Sequence, residues 1–442
     1  MLRSLTRIQR DAGVLANAPI VGSLQGSLLF SSNITPSALG GDETVMGMIG
    51  TSVTKKLWLK RLTKNKDRLK HLPLPALNAK PPQPITVTYP FSSDRFLQEQ
   101  YRNPWNQVRV GKLLEDLDSL AGNIAFQHCD DERTDTQLPL LVTASVDAIH
   151  LRRRLDLHQD VQVSGQVVWT GKSAMDIRMQ LNQEHFKGEP SLVALFTFVA
   201  RHPLTKKSTQ LNALKTQTAE EKQQFEERQA VADDRKAARN VSASAQPNGT
   251  NAKQKWAEQL LGEARAMIDM PSLTSGNAML MRDTAMQNTF VCQPQQRNIH
   301  GRVFGGFIMR RAYELAFATA YMFAGQRPTF KEVDEVTFMR PVNVGDLLKF
   351  RSCIIHTAAS ASRPNKATIY AEVVASVAQP EQVASNMSNM LTFVFEVSQD
   401  HVADADSRKG SSAASPRTVK RVLPATNEEA QKIYQFFPGE GG

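Results

Sequence analysis

QQRNIHGRVFGGFIMRRAYELAFATA (295–320) joins a polar loop to a long apolar segment through the Phe304-Gly305-Gly306 step. Within the apolar segment Ile308, Ala312, Leu315, Ala316, Thr319 and Ala320 recur at spacings of three and four, the period of one helix face. Small residues dominate that stripe, which predicts a helix seated close against a sheet. YRNPWNQVRVGKLLEDLDSLAG (101–122) follows the same plan. Asn103 is followed after eight residues by Gly111 and after fifteen by Asp118, as Asn298 is followed after eight by Gly306 and after fifteen by Tyr313. Further on, VDAIHL (146–151) answers VDEVTF (333–338), Asp160 in DVQVSGQVVW answers Asp346 in DLLKFRSCII, and FTFV (196–199) answers LTFV (391–394). Landmarks kept in one order at nearly one offset indicate a duplicated domain.

Each copy has a loop, a long helix and then three or four strands rich in Val, Ile, Phe and Thr. Turns between the strands are short, so the sheet is expected to be antiparallel, because parallel neighbours need crossover connections. The predicted architecture is α+β, one antiparallel sheet wrapped on one long helix, twice over. The copies are separated by TAEEKQQFEERQAVADDRKAARN (218–240), which is charged and nearly free of large apolar residues, and by the loop-like SASAQPNGTNAKQ. WAEQLLGEARAMIDM (256–270) regains an apolar stripe, and residues 400–420 again read as disordered.

The 442 residues carry 53 Lys and Arg against 43 Asp and Glu, and residues 1–80 hold 12 of those bases against only 4 acids. The rest of the chain is therefore nearly neutral, which excludes a general polyanion binder and gives no reason to expect DNA as a partner. Arg3, Arg7 and Arg10 among Leu2, Leu5 and Ile8 read as a mitochondrial transit peptide, set aside from the fold. KKLWLKRLTKNKDRLK (55–70) is a second basic run that reads either as an anionic-lipid or RNA contact or as a solvated helix. No apolar run approaches the roughly 18 residues a membrane-spanning helix needs. Cys129, Cys292 and Cys353 are far apart and odd in number, and no His/Cys group has metal-ligand spacing, so neither a disulfide scaffold, a metal nor a cofactor is expected.

The helix start after Phe304 offers backbone N–H groups that no intrahelical carbonyl uses, at the positive end of the helix dipole. Gly306 is therefore the expected donor to a developing oxyanion. Taken together, 295–320, VDEVTFMRPVNVGD (333–346), 101–122 and VSGQVVWTGKSAMDIRMQ (163–180) closely resemble the double-hotdog acyl-CoA thioesterases. The resemblance implies hydrolysis of acyl-CoA to free acid and CoA, and trimers of double-hotdog chains. It also implies tandem hotdog domains at 95–205 and 275–400, joined by a helical linker at 206–274. The remainder divides into a transit segment at 1–40, a basic extension at 41–94 and a mostly disordered tail at 401–442.

Residue by residue, the resemblance places Asp118 as base or nucleophile and Asn298 as the group that orients water and the acyl carbonyl, in one composite site. The reciprocal site has Asn103, but Tyr313 stands where the acid belongs, with Glu314 one residue and about 100° further round the helix. For the phosphates of CoA, Lys172 and Ser173 in the turn TGKSAM (170–175) are candidates, as is Arg340. There is no GxSxG motif for a serine nucleophile. The hotdog fold also carries dehydratases, but the Asn loop with its Phe-Gly-Gly helix favours thioester hydrolysis, and the mitochondrial matrix is the expected compartment. The rival reading is a non-catalytic thioesterase-like subunit of a mitochondrial assembly, binding RNA or acidic partners through its basic N-terminal segment.

Overall fold

The computed structural model describes Thr54 and residues 72–436, apart from 134, 185–187, 243–250, 274–275, 299–300, 335, 360–364 and 400–418. The transit segment and the basic run 55–70 lie outside the described residues. Strands form where apolar residues alternate. In LVALFTFVAR every second side chain from Leu192 to Ala200 is buried, which is the signature of a half-buried strand.

The first half of the chain runs β1 (Ile85–Tyr89), α1 (Arg95–Tyr101), α2 (Val110–Cys129), β2 (Leu140–Leu151), β3 (Val161–Thr170), β4 (Ala174–Asn182) and β5 (Leu192–Arg201). Helices α3 (Ala219–Ser242) and α4 (Asn251–Asp269) follow. The second half runs β6 (Ala278–Leu280), β7 (Met286–Val291), α5 (Gly305–Ala324), β8 (Thr329–Val333), β9 (Val336–Phe338), β10 (Leu347–Ala359), β11 (Lys366–Gln379) and β12 (Ala384–Ser398). The chain then ends its described part with β13 (Arg421–Leu423) and α6 (Asn427–Lys432).

Eleven strands make one sheet in the order β1-β3-β4-β5-β2-β8-β12-β11-β10-β7, with β9 beside β2 and β12. Read inward from either edge, the two halves have the same strand order. At the centre the repeated segments meet each other. Val146 pairs with Val336 and Ile149 with Val333, so each copy of the motif binds the other copy antiparallel. That reciprocity marks a pseudo-twofold axis between the halves.

The long helices cross on the same axis. Arg310 Nη1 of α5 meets Glu115 Oε2 of α2 at 2.8 Å, and the two residues are 195 positions apart, the repeat offset itself. A position that meets its own repeat lies on the axis. Swapping the charges should therefore restore what either single change breaks. Glu115→Arg and Arg310→Glu are each expected to lower the melting temperature, and the double variant to recover most of the loss in a double-mutant cycle read by calorimetry.

Each half is covered outside the sheet by the segment that follows it. On the first half, Arg228 of α3 donates from Nε to Asp176 Oδ2 (2.8 Å) and from Nη2 to Asp147 Oδ2 (3.0 Å). On the second, Lys432 of α6 pairs with Glu372, and the Phe436 ring stacks on His356 at 4.5 Å. Asp176 faces Thr197 across the sheet as Glu372 faces Thr392, so the two acids hold equivalent places. The segment expected at 401–442 to be mostly disordered thus contains packed structure at 419–436, with Val422, Leu423, Ala430 and Ile433 buried. Sequence periodicity misses it because a three-residue strand and a six-residue helix are too short to show a period. The first half likewise begins before 95, since β1 is an edge of the sheet and Tyr89 is fully buried.

Candidate active site

Helix α2 carries Glu115, Asp116 and Asp118 within one turn, and all three are buried. About 100° of rotation per residue sends them to different neighbours. Glu115 goes to Arg310, and Asp116 accepts from Tyr89 Oη at 3.0 Å and from the Tyr101 hydroxyl. Asp118 turns toward the start of α5. A solvated acidic face, the plain reading of such a cluster, is not what forms.

Asp118 is fixed at both oxygens. Thr143 Oγ1 on β2 donates to Oδ1 at 2.9 Å, and the backbone N–H of Gly306 donates to Oδ2 at 2.7 Å. Burial pushes its carboxyl up to about 6, although the bonds from Thr143 and Gly306 pull the other way. Asp118 and Gly306 are thus brought together, but the Gly306 N–H, expected on the substrate, is spent on the carboxylate. The neighbouring N–H of Gly305 has no partner among the described residues. A methyl placed on Gly305 would lie 3.1 Å from the Phe338 ring and 3.2 Å from Asp118 Oδ2, so this bare stretch of main chain borders the carboxylate directly. Thr143 went unnoticed in the sequence because nothing in a strand's alternation marks which threonine faces an acid from a distant helix.

Asn298 lies in the loop entering α5. Its Oδ1 accepts from the Arg302 N–H at 3.1 Å, and the loop is held to the helix start by Phe304 N–H to Gln296 O at 2.9 Å. Asn103 does the same for α2, accepting from Gln107 N–H at 2.9 Å. Both asparagines shape their own loops, and neither hydrogen-bonds to Asp118. His300 lies outside the described residues.

In the reciprocal place the Tyr313 ring packs against Phe330, Phe393 and Phe395, and the position of a Gly111 methyl is 3.0 Å from Tyr313 Cδ1. Glu314 is taken by cations, with Arg109 at 2.5 Å and Arg311 at 3.0 Å. Its geometry is that of a counter-ion on the helix surface.

The turn with Lys172 and Ser173 lies at the Thr143 end of the sheet. Thr143 pairs with Phe198 on β5, and Phe198 with Met175 on β4. Two strand spacings put the row about 10 Å from Thr143. Lys172 is exposed, while the carbonyls of Lys172 and Ser173 accept from Leu211 and Ala200 N–H at 3.1 and 2.8 Å. Arg340 is exposed two residues beyond Phe338, with its guanidinium on Asn386 Oδ1 at 2.8 Å. Among the described residues no group of His, Cys, Asp and Glu has a metal-binding arrangement, and no helix is long and apolar enough to cross a membrane.

No family model matches the chain. It is 41% identical to acyl-coenzyme A thioesterase 2, chloroplastic, of Humulus lupulus, an alignment covering 89% of this chain and 90% of that protein. It is 44% identical to acyl-coenzyme A thioesterase 4, mitochondrial, of the same plant (80% and 66% covered), and 35% identical to human acyl-coenzyme A thioesterase 9, mitochondrial (62% and 63%). Among solved structures, the 12:0-ACP thioesterase of Umbellularia californica aligns over 71% of this chain and 93% of its own at 8% identity and a TM-score of 0.43. Near-complete alignment to a relative at this identity decides the family where weak structural likeness does not, and on that ground the chain belongs to the acyl-CoA thioesterases.

Proposed function

We propose that the protein hydrolyses acyl-CoA to a free acid and CoA at one composite site per chain, with Asp118 as the general base. The observation that carries this reading is a buried carboxylate held at 2.7 Å by the first turn of a helix from the other half. Hydrogen bonds at both oxygens favour proton transfer over attack, because a nucleophilic carboxylate would have to break free of them. Asp118 takes a proton from water, and the hydroxide adds to the thioester carbon. The carbonyl oxygen, now negative, is received by the Gly305 N–H at the positive end of α5. When the tetrahedral intermediate collapses, the C–S bond breaks and the proton on Asp118 goes to the CoA sulfur. Asn298 holds the loop beside the helix start and orients the water.

In this reading the halves are tandem hotdog domains, the first running from β1 to about 205 and the second over 275–400. The Tyr313 side is not catalytic, since it has an aromatic packing residue in place of a base, and Asn103 and Glu314 serve structure. Lys172, Ser173 and Arg340 are assigned to the CoA phosphates, trimers of chains are the expected assembly, and the mitochondrion is the assigned compartment. Two of the three relatives above are mitochondrial and one is chloroplastic, so import into isolated mitochondria is the check on the compartment.

The test is thiol release from acyl-CoAs of graded length. Turnover is expected, and an inactive protein that binds polyanions with steep salt dependence would establish the rival scaffold reading instead. The rate should also report Asp118 directly. A base must be unprotonated, so kcat/KM is expected to rise tenfold per pH unit at low pH and to level off above a midpoint of about 6. A profile flat from pH 5 to 8 would remove Asp118 from the role.

A further inference from the structure

Asn389 on β12 is fully buried, and its side-chain Nδ2 has no hydrogen-bond partner, while its Oδ1 lies 2.7 Å from Ser388 Oγ, whose one proton also has the Arg340 carbonyl as an acceptor at 2.9 Å. Turning the amide over would exchange its ends and leave the oxygen unused instead, so in either orientation one polar end is idle. An unpaired buried amide is costly and calls for a partner that arrives with a ligand.

The fold does not require this amide. The segment LTFV (391–394) corresponds to FTFV (196–199), which makes Ala194 the equivalent of Asn389 in the first half, and Ala194 is buried there as ordinary core. The amide occurs only in the half that contributes Gly305 and Gly306. Asn389 is directly opposite Phe338 in the sheet, and on its other side it faces the small Ala375. Paired strand residues are about 5 Å apart and share a face. The Phe338 ring in turn borders Gly305, whose missing side chain would touch both that ring (3.1 Å) and Asp118 Oδ2 (3.2 Å). The idle amide is therefore one strand beyond the wall of the proposed site, on its buried side.

The nucleotide and phosphates of CoA have to reach solvent, so a ligand group arriving at a fully buried amide belongs to the acyl chain. A carboxylate there would need a counter-charge that Asn389 does not supply. A neutral oxygen would not, and a hydroxyl both donates and accepts, which suits either orientation of the amide. Resting on the thioesterase reading above, we propose that Asn389 selects acyl-CoAs whose chain carries a neutral oxygen, hydroxyl or oxo, a few carbons from the thioester.

The experiment compares butanoyl-CoA with 3-hydroxybutanoyl-CoA and 3-oxobutanoyl-CoA, using the parent and Asn389→Leu, which keeps the branching and the number of heavy atoms but is bulkier. Asn389→Ala, the residue the first half uses, is the second variant should the leucine pack badly. For the parent, kcat/KM on an oxygenated chain should equal or exceed that on butanoyl-CoA. In the variants it should fall by roughly 10- to 100-fold on the oxygenated chain and stay within about threefold on butanoyl-CoA. Loss on the hydroxy chain alone would identify a hydroxyl, and loss on both a shared acceptor. The melting temperature should hold or rise, because an unpaired group has been removed. Butanoyl-CoA turnover with an unmoved substrate ratio would overturn this inference alone, whereas a parent inactive on every acyl-CoA would overturn the thioesterase reading with it.

Discussion

Asp118→Asn is expected to cost at least roughly a hundredfold in kcat while making the protein more stable at neutral pH. Both effects have one cause. The site keeps a carboxylate away from water, which raises its proton affinity to a midpoint of about 6 against 3.8 for the free side chain. Because the folded value is the higher one, the native state holds more protons than the unfolded chain between about pH 4 and 6. Stability from this group is therefore intact below about pH 4 and declines as pH rises through 6, by on the order of 3 kcal/mol in all. Asparagine carries no charge to bury. Its oxygen accepts from the Gly306 N–H and its amide donates to Thr143, so both contacts survive. Denaturant unfolding of parent and variant should give a gap that opens between pH 4 and 6 in favour of the variant. Equal pH dependence in the two proteins would mean that Asp118 is not the strained acid.

Gly306→Ala should be more damaging than the same change at Gly305 or Gly111. The added carbon would fall 2.8 Å from the Glu115 carbonyl oxygen and 2.9 Å from the Glu115 Cα, both main-chain atoms of the opposing helix. Backbone does not turn aside as a side chain does, so α2 and α5 must separate, at a cost of about 1–3 kcal/mol for overpacking, and the N–H bond to Asp118 is displaced with them. Gly305→Ala meets only the Phe338 ring and Asp118 Oδ2, at 3.1 and 3.2 Å, and should fold while losing activity. Gly111→Ala meets side-chain atoms first, Tyr313 Cδ1 at 3.0 Å and Arg310 Cγ at 3.3 Å, and should leave activity within a few-fold of the parent. Thermal melts and thiol release on the three variants separate the roles. If Gly306→Ala melts like the parent, the close crossing of the helices is wrong.

Repetition made the site legible in advance. Asn103, Gly111 and Asp118 stand at the same spacing as Asn298, Gly306 and Tyr313, and with the family resemblance that spacing singled out Asp118 from a cluster of three acids and Tyr313 as the position without one. Spacing along a helix is a local property, so the chain alone reports it. Thr143, the Gly305 N–H and Asn389 were not legible, because each matters only through what another element brings next to it. Strand alternation says that Thr143 and Asn389 have sides, but not which distant acid or ring stands opposite.

The amino-acid order by itself therefore determined the repeated motifs with their long helices and strands and, through resemblance, the family and the residues proposed for the site. Only the tertiary structure decided that the copies meet on a pseudo-twofold axis through Glu115 and Arg310. It likewise decided that Gly306 serves the carboxylate and leaves the Gly305 N–H open, and that 419–436 is part of the packed body. The physical reason is range. Periodicity and helix-end chemistry act over a few residues, whereas the partners of Asp118 and Arg310 are 188 and 195 residues away and are fixed by packing.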